Sequence, residues 1–174
     1  GLSQLIDRME ELLVDVEIYK DTETVLVEKK EQRYEISFAN GEKLESDVVV
    51  LALPNQVVKQ VLHNDELNPY FNKFKNASAI TMYVGFDLPD SILPKDGTGF
   101  IVSYNSDLLC NASTWTSRKW KHTSTEGNLL VRLFYKESNP RYQELVKMSG
   151  EELTKVALND IQLSLNIEAQ PTIV

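Results

Sequence analysis

Val48-Val49-Val50-Leu51-Ala52-Leu53 is apolar at every position and runs directly into Pro54. A strand with one wet face alternates apolar and polar side chains, so this run predicts a central strand buried on both faces. Pro54 ends it, because proline has no N–H to contribute to a ladder. Such a strand needs cover above and below, and that requirement governs how the rest of the chain is read.

Before this run, Leu2, Leu5, Ile6, Met9, Leu12 and Leu13 recur at the spacing of a one-faced helix, with Asp7, Arg8, Glu10 and Glu11 opposite. Val16 to Tyr19 reads as a short strand and Thr22 to Lys29 as a longer one. Tyr34, Ile36 and Phe38 line one face of the next strand, and Asn40-Gly41 closes a hairpin because both residues tolerate positive φ. After Pro54, Val57, Val58, Val61 and Leu62 predict a helix, and Asp65 to Phe74 predicts a second, with Pro69 in its first turn. Four strands are expected over 79–86, 100–104, 109–116 and 129–135, with a proline- and glycine-rich loop over 87–99. Ser149 and Glu152 form a capping box, and Leu153, Val156, Ala157, Ile161 and Leu165 carry the helix onward. The order of helix, strands, helices, strands, helix gives an α+β fold, a mixed but largely antiparallel sheet backed by helices, with two lobes meeting near Pro54.

Composition narrows the function. At 174 residues with 42% apolar content the chain is folded and globular in type, and a net charge of -8 argues against a nucleic-acid surface. Cys110 is the lone cysteine, so no internal disulfide forms and cysteine-paired zinc sites are excluded; a reducing, cytoplasmic setting is expected. No apolar run nears the roughly 18 residues of a membrane span, and no signal peptide is recognisable. The helical start at Gly1 and the strand-like finish Pro171-Thr172-Ile173-Val174 read as the ends of a piece of a longer protein.

Few residues carry chemistry. Gly97 and Gly99 lack the third glycine and following helix of a dinucleotide fingerprint. His63 and His122 have no carboxylates at metal-ligand spacing; His63 reads as a helix C-terminal residue and Cys110 as an inert buried thiol. No metal site and no catalytic side chain is expected. One cluster stands out: Trp115 alternates with Thr114 and Thr116, and Arg118, Lys119, Lys121 and His122 follow around Trp120. Either the tryptophans are core and the cations solvated, or Trp115 stacks on a flat acidic ligand whose carboxylates meet the cations.

The segments Gly1-Leu2-Ser3-Gln4-Leu5-Ile6, Ala52-Leu53-Pro54, Gly97-Thr98-Gly99-Phe100, Asn105-Ser106-Asp107, Thr114 to Trp120 and Glu126-Gly127 occur in this order over the whole chain. The set resembles the FAD-dependent, oxygen-dependent protoporphyrinogen or coproporphyrinogen III oxidases of Gram-positive bacteria, within the amine-oxidase-like flavoenzymes. The first two segments are shared by the wider group; the stretch from Gly97-Thr98-Gly99-Phe100 to Trp120 is far more specific. The resemblance implies a partial FAD-binding segment over 1–54, with Gly1, Leu2, Thr24 and Ala52 on the cofactor side. It implies a substrate domain over 55–174, whose sheet roofs the flavin and is backed by helices. Trp115 would stack on a pyrrole ring of the porphyrinogen substrate, with Phe100 and Val102 as apolar contacts. Arg118 and Lys119 are proposed for the propionates from their charge. Tyr104 stands where close relatives are expected to carry arginine. Because the dinucleotide fingerprint is missing, the chain alone is expected to be inactive, to hold FAD weakly or not at all, and to self-associate through exposed apolar surface. The resemblance also allows the parent enzyme to be peripheral to the membrane. The alternatives are a piece of an amine-oxidizing flavoenzyme and a stand-alone tetrapyrrole- or anion-binding module.

Overall fold

The computed structural model describes residues 2–124 and 126–174. The chain divides into two compact units, the first ending at Lys75 and the second running from Asn76 to Val174. This division follows packing. The boundary expected near Pro54 falls inside the first of these units.

In the first unit α1 spans Leu2–Leu12, as its periodicity predicts, and buries none of its residues. β1 (Thr24–Lys30), β2 (Arg33–Phe38) and β3 (Lys43–Ser46) form an antiparallel meander. Val27 and Ile36 face each other across β1 and β2 and are both buried. α2 (Asn55–Leu62) packs on β1 and buries Val58 and Val61 to complete this small core. Gly41 takes φ 89° at the hairpin turn between β2 and β3, which a Cβ would disfavour. His63 is the C-cap of α2 in the left-handed region.

Three expectations are corrected in this unit. Val16 to Tyr19 is not a strand. The second helix is reduced to one turn, α3 (Asn68–Phe71), because Asn64 ties down the backbone of Glu66 and Leu67 in a turn just before it. The apolar run 48–53 is not a strand either: Val48 is 73% and Val50 84% exposed. A doubly buried strand draws its stability from neighbours at both edges and layers on both faces. Among the described residues the ladder stops at β3, so the run has neither.

The second unit is built on an antiparallel sheet in the order β4-β7-β6-β5. β4 spans Ala79–Pro89, β5 Gly99–Ile101 and β6 Ala112–Trp115, followed by the one-turn α4 (Thr116–Lys119). β7 (Asn128–Lys136) is the central strand, and α5 (Tyr142–Leu145) and α6 (Gly150–Leu165) follow it. β5 and β6 are shorter than expected, because loop hydrogen bonds such as Asn111 N–H to the Phe134 carbonyl (2.7 Å) take over at their ends. Leu129, Val131, Leu133 and Tyr135 alternate onto one face of β7, all buried. They pack with Val84 and Phe86 of β4 and with Ala157 and Ile161 of α6 in one hydrophobic cluster. The capping box on α6 is complete: Glu152 N–H donates to Ser149 Oγ, and Ser149 N–H to the Glu152 carboxylate.

The strand-like finish has a structural counterpart. Gly85 N–H donates to the Ile173 carbonyl (2.9 Å) and Thr172 N–H to the Gly85 carbonyl (2.8 Å), a bridge on the outer edge of β4. Among the described residues no helix is long and apolar enough to cross a membrane.

Candidate functional site

Strand register decides which side chains share a face. Phe100 pairs with Ser113, and Trp115 with Val131, which lies in the core beneath α6. Phe100 and Trp115 therefore point to the helix-backed face. At the free edge of β5 this face opens into a cleft of about 470 Å³, where Phe100, Val102 and Trp115 meet Pro94, Leu108 and Leu165. No acidic or basic side chain lines it. Three of the five substrate positions expected from sequence thus come together.

Trp115 is only 4% exposed and belongs to the core cluster, so it offers the cleft a margin of its ring rather than an open stacking platform. Its Nε1 is buried without a hydrogen-bond partner. Arg118 lies over the ring at 5.1 Å. The Arg118 Nε donates to Asp90 Oδ2 (2.8 Å) and Nη2 to the Asp90 carbonyl (2.9 Å). Nη1 donates to the carbonyl of Pro94 and reaches that of Gly97. Arg118 is thus a clamp that holds the 90–97 loop over Trp115, and its donors are engaged by this chain. Lys119 is exposed, its ammonium 5.7 Å from the Trp120 ring, and Trp120 is 52% exposed. Of the two residues that sequence reading left open together, Trp115 is core and Trp120 is not. Tyr104 is exposed in the loop after β5.

Gly99 sits where the cleft meets β5, with φ 152°. A Cβ there would lie 2.2 Å from the Ser113 carbonyl oxygen, so any side chain would push β5 off β6.

The loop that follows β5 is braced by Asp160. This residue is 0% exposed on α6, and its carboxylate accepts the N–H of Leu109 (3.0 Å) and of Cys110 (2.8 Å). Burial first, and the Asp160 charge second, push the Cys110 thiol up to about 12, which keeps it protonated and a poor nucleophile at neutral pH. The same two causes hold the Tyr135 phenol well above its usual range, and its hydroxyl has no hydrogen bond of proper geometry. Among the described residues no group of His, Cys, Asp or Glu could hold a metal ion.

The other face of the sheet carries residues that sequence reading missed. Gly99, Thr114, Arg132 and Tyr83 form one cross-strand row from β5 to β4, and Ile101, Ala112, Phe134 and Thr81 the next. The signal was present in Leu129 to Tyr135: a lone arginine at the alternate positions of an otherwise apolar strand.

The positions expected on the cofactor side behave differently. Gly1 lies outside the described residues. Leu2 opens α1, Thr24 opens β1 and Ala52 lies in the exposed run before Pro54. The clefts of this unit, at the β1–β2 tip and beside α2, are lined by none of the three.

A family model described as "Flavin containing amine oxidoreductase" matches residues 1–173. The coproporphyrinogen III oxidase of Bacillus subtilis (strain 168) is 26% identical over 171 residues, which is 98% of this chain and 36% of that protein. The Staphylococcus aureus (strain NCTC 8325 / PS 47) enzyme of the same name is 27% identical, over 98% of this chain and 37% of its own length. Among solved structures, a "Putative protoporphyrinogen oxidase" from Exiguobacterium sp. 255-15 superposes with a TM-score of 0.83 at 30% identity, covering 99% of this chain and 37% of that one. Putrescine oxidase bound to putrescine shares the fold, with a TM-score of 0.76 at 15% identity over 99% of this chain and 37% of its own. The chain spans a little over a third of the length of the relatives it matches.

Proposed function

The chain belongs to the flavin containing amine oxidoreductase family, and from that premise we propose that it is the substrate-side part of an FAD-dependent oxidase acting on a porphyrinogen. The parent enzyme converts coproporphyrinogen III or protoporphyrinogen IX to the porphyrin in haem biosynthesis. Six electrons and six protons leave the macrocycle, and three molecules of oxygen become three of hydrogen peroxide. The observation that carries the reading is the cleft of Phe100, Val102 and Trp115, which has no charged residue in its lining. An apolar wall of this kind suits the faces of pyrrole rings, and it offers no carboxylate to an amine substrate.

The part of this chain in the reaction is to bind, orient and keep water from the macrocycle. Phe100 and Val102 cover one edge of the ring system, and the edge of Trp115 closes the cleft behind them. Arg118 acts on the substrate only through the loop it holds. Lys119 has no carboxylate partner among the described residues and is the cation of this pair proposed for a propionate. Gly1, Leu2, Thr24 and Ala52 are assigned to the flavin side, to be completed by residues beyond this chain. The reading includes a reducing, cytoplasmic setting for Cys110, with a parent that can lie against the membrane.

For the isolated chain, the exposed stripe of α1 together with Val48 and Val50 is a large unpartnered apolar surface. The purified chain is expected to show no stoichiometric flavin absorption and to sediment as assemblies larger than a monomer. A yellow, monomeric preparation would contradict both statements. The activity is tested on the full-length protein by following porphyrin fluorescence and peroxide with each porphyrinogen and, in parallel, with primary amines. Turnover of amines alone would replace this reading with the amine-oxidase one.

A further inference from the structure

The chain has five arginines, and four of them are ion-paired. Arg8 meets Glu11, Arg33 meets Glu45 and Asp47, Arg118 meets Asp90, and Arg141 meets Glu144. Arg132 has no carboxylate and no hydrogen-bond partner among the described residues, and its Nε is buried without one. In a chain of net charge -8 an unpaired guanidinium is not explained by a shortage of carboxylates.

Its surroundings are rigid. Arg132 lies on β7, paired with β4 on one side and β6 on the other, and its guanidinium stands 4.4 Å from the Phe134 ring and 5.1 Å from the Tyr83 ring. The two rings hold the guanidinium from the side, and with Nε buried it is the two terminal amino groups that remain to meet a carboxylate as a fork. The side chains between Arg132 and the free edge of β5 are small: Thr114 is its cross-strand neighbour on β6, and Gly99 is the neighbour of Thr114 on β5. Ala112 occupies the next row, and Ile101, 88% exposed, stands at the rim. The free edge of β5 and Arg132 are thus two strand spacings apart, roughly 10 Å, with only small side chains between them. That edge adjoins the cleft of Phe100 and Val102, whose lining also includes Gly99 and Ile101.

We infer that Arg132 is a carboxylate anchor for the substrate: the porphyrinogen keeps one margin at Phe100 and Val102 by the free edge of β5, and a propionate on its other side reaches across the Gly99–Thr114 row to the guanidinium. This rests on the porphyrinogen-oxidase reading and adds to it the residue that reads the acidic periphery. The occupant is identified by complementarity: small side chains leave room for a broad, largely apolar macrocycle beside β5, and an anion fits the one arginine left without a partner among the described residues.

The test uses the FAD-loaded full-length enzyme as wild type, Arg132→Met and Arg132→Lys. Kinetics with coproporphyrinogen III are combined with the bound-flavin ratio, and with competitive inhibition by coproporphyrin as free acid and as tetramethyl ester. Arg132→Met is expected to raise KM about tenfold or more, the scale of a lost charge-assisted pair, with a smaller change in kcat and unchanged flavin content. The preference for free acid over ester should shrink by the same factor. Arg132→Lys, which keeps the charge but loses the fork, should fall between. An unchanged KM, an unchanged acid-to-ester ratio, or loss of flavin with KM intact overturns the inference and leaves the enzyme's identity standing. If Arg132→Met does not fold, a lysine variant indistinguishable from wild type in both KM and ester discrimination overturns it equally. A wild type that does not turn over porphyrinogen refutes the parent reading, and this inference with it.

Discussion

Asp160→Ala is expected to destabilise the second unit by about 2–5 kcal/mol, since one buried and one part-buried amide lose their acceptor at once and each orphaned donor costs about 1–3 kcal/mol. The acceptor sits on α6 and the amides of Leu109 and Cys110 precede β6, so the contact ties a late helix to a loop fifty residues earlier. That loop also carries Leu108, a wall of the cleft. Asp160→Asn keeps one acceptor oxygen in nearly the same shape and should lose about half as much. Urea unfolding followed by tryptophan fluorescence, which reports on Trp115, measures both variants. A cost below about 1 kcal/mol for alanine would show that water satisfies the two amides and that the brace is dispensable.

The second large effect is expected at Trp115. Its ring is buried in the cluster of Val131 and Ile161 and covered by Arg118, so Trp115→Ala should cost about 3–5 kcal/mol in stability. It also releases the partner over which Arg118 organises the Asp90 loop. Trp115→Phe retains an aromatic ring and should fold with a smaller loss. In the full-length enzyme that variant isolates the cleft role: a raised KM with stability largely kept marks contact with substrate. If Trp115→Ala were as stable as wild type while KM rose, the side chain would be a cleft wall only, and its burial would contribute nothing to the fold.

The fold was legible where the information is local. β4 and β7 follow from local runs of apolar, strand-forming residues, the Asn40-Gly41 turn from backbone preference, and the start of α6 from a capping box that needs only Ser149 and Glu152. It was not legible where a segment depends on partners. Val48 to Leu53 carries the pattern of a doubly buried strand, yet burial is a property of its neighbours, and among the described residues none flank it. The site shows the same limit. Alternation put Trp115 opposite its threonines, but which face α6 covers is decided some forty residues later in the chain. The period-2 pattern of β7 likewise contained Arg132, and only the pairing with Tyr83 and Thr114 reveals that no carboxylate answers it.

The central claim, that this chain forms the substrate side of a porphyrinogen oxidase, is tested most directly by a single turnover without oxygen. Full-length protein with its flavin bound is mixed anaerobically with coproporphyrinogen III, and flavin absorbance is followed. The oxidised flavin is expected to bleach rapidly, with porphyrin fluorescence and peroxide appearing once oxygen is admitted. A flavin that stays oxidised with the porphyrinogen and bleaches with a primary amine would contradict the central claim.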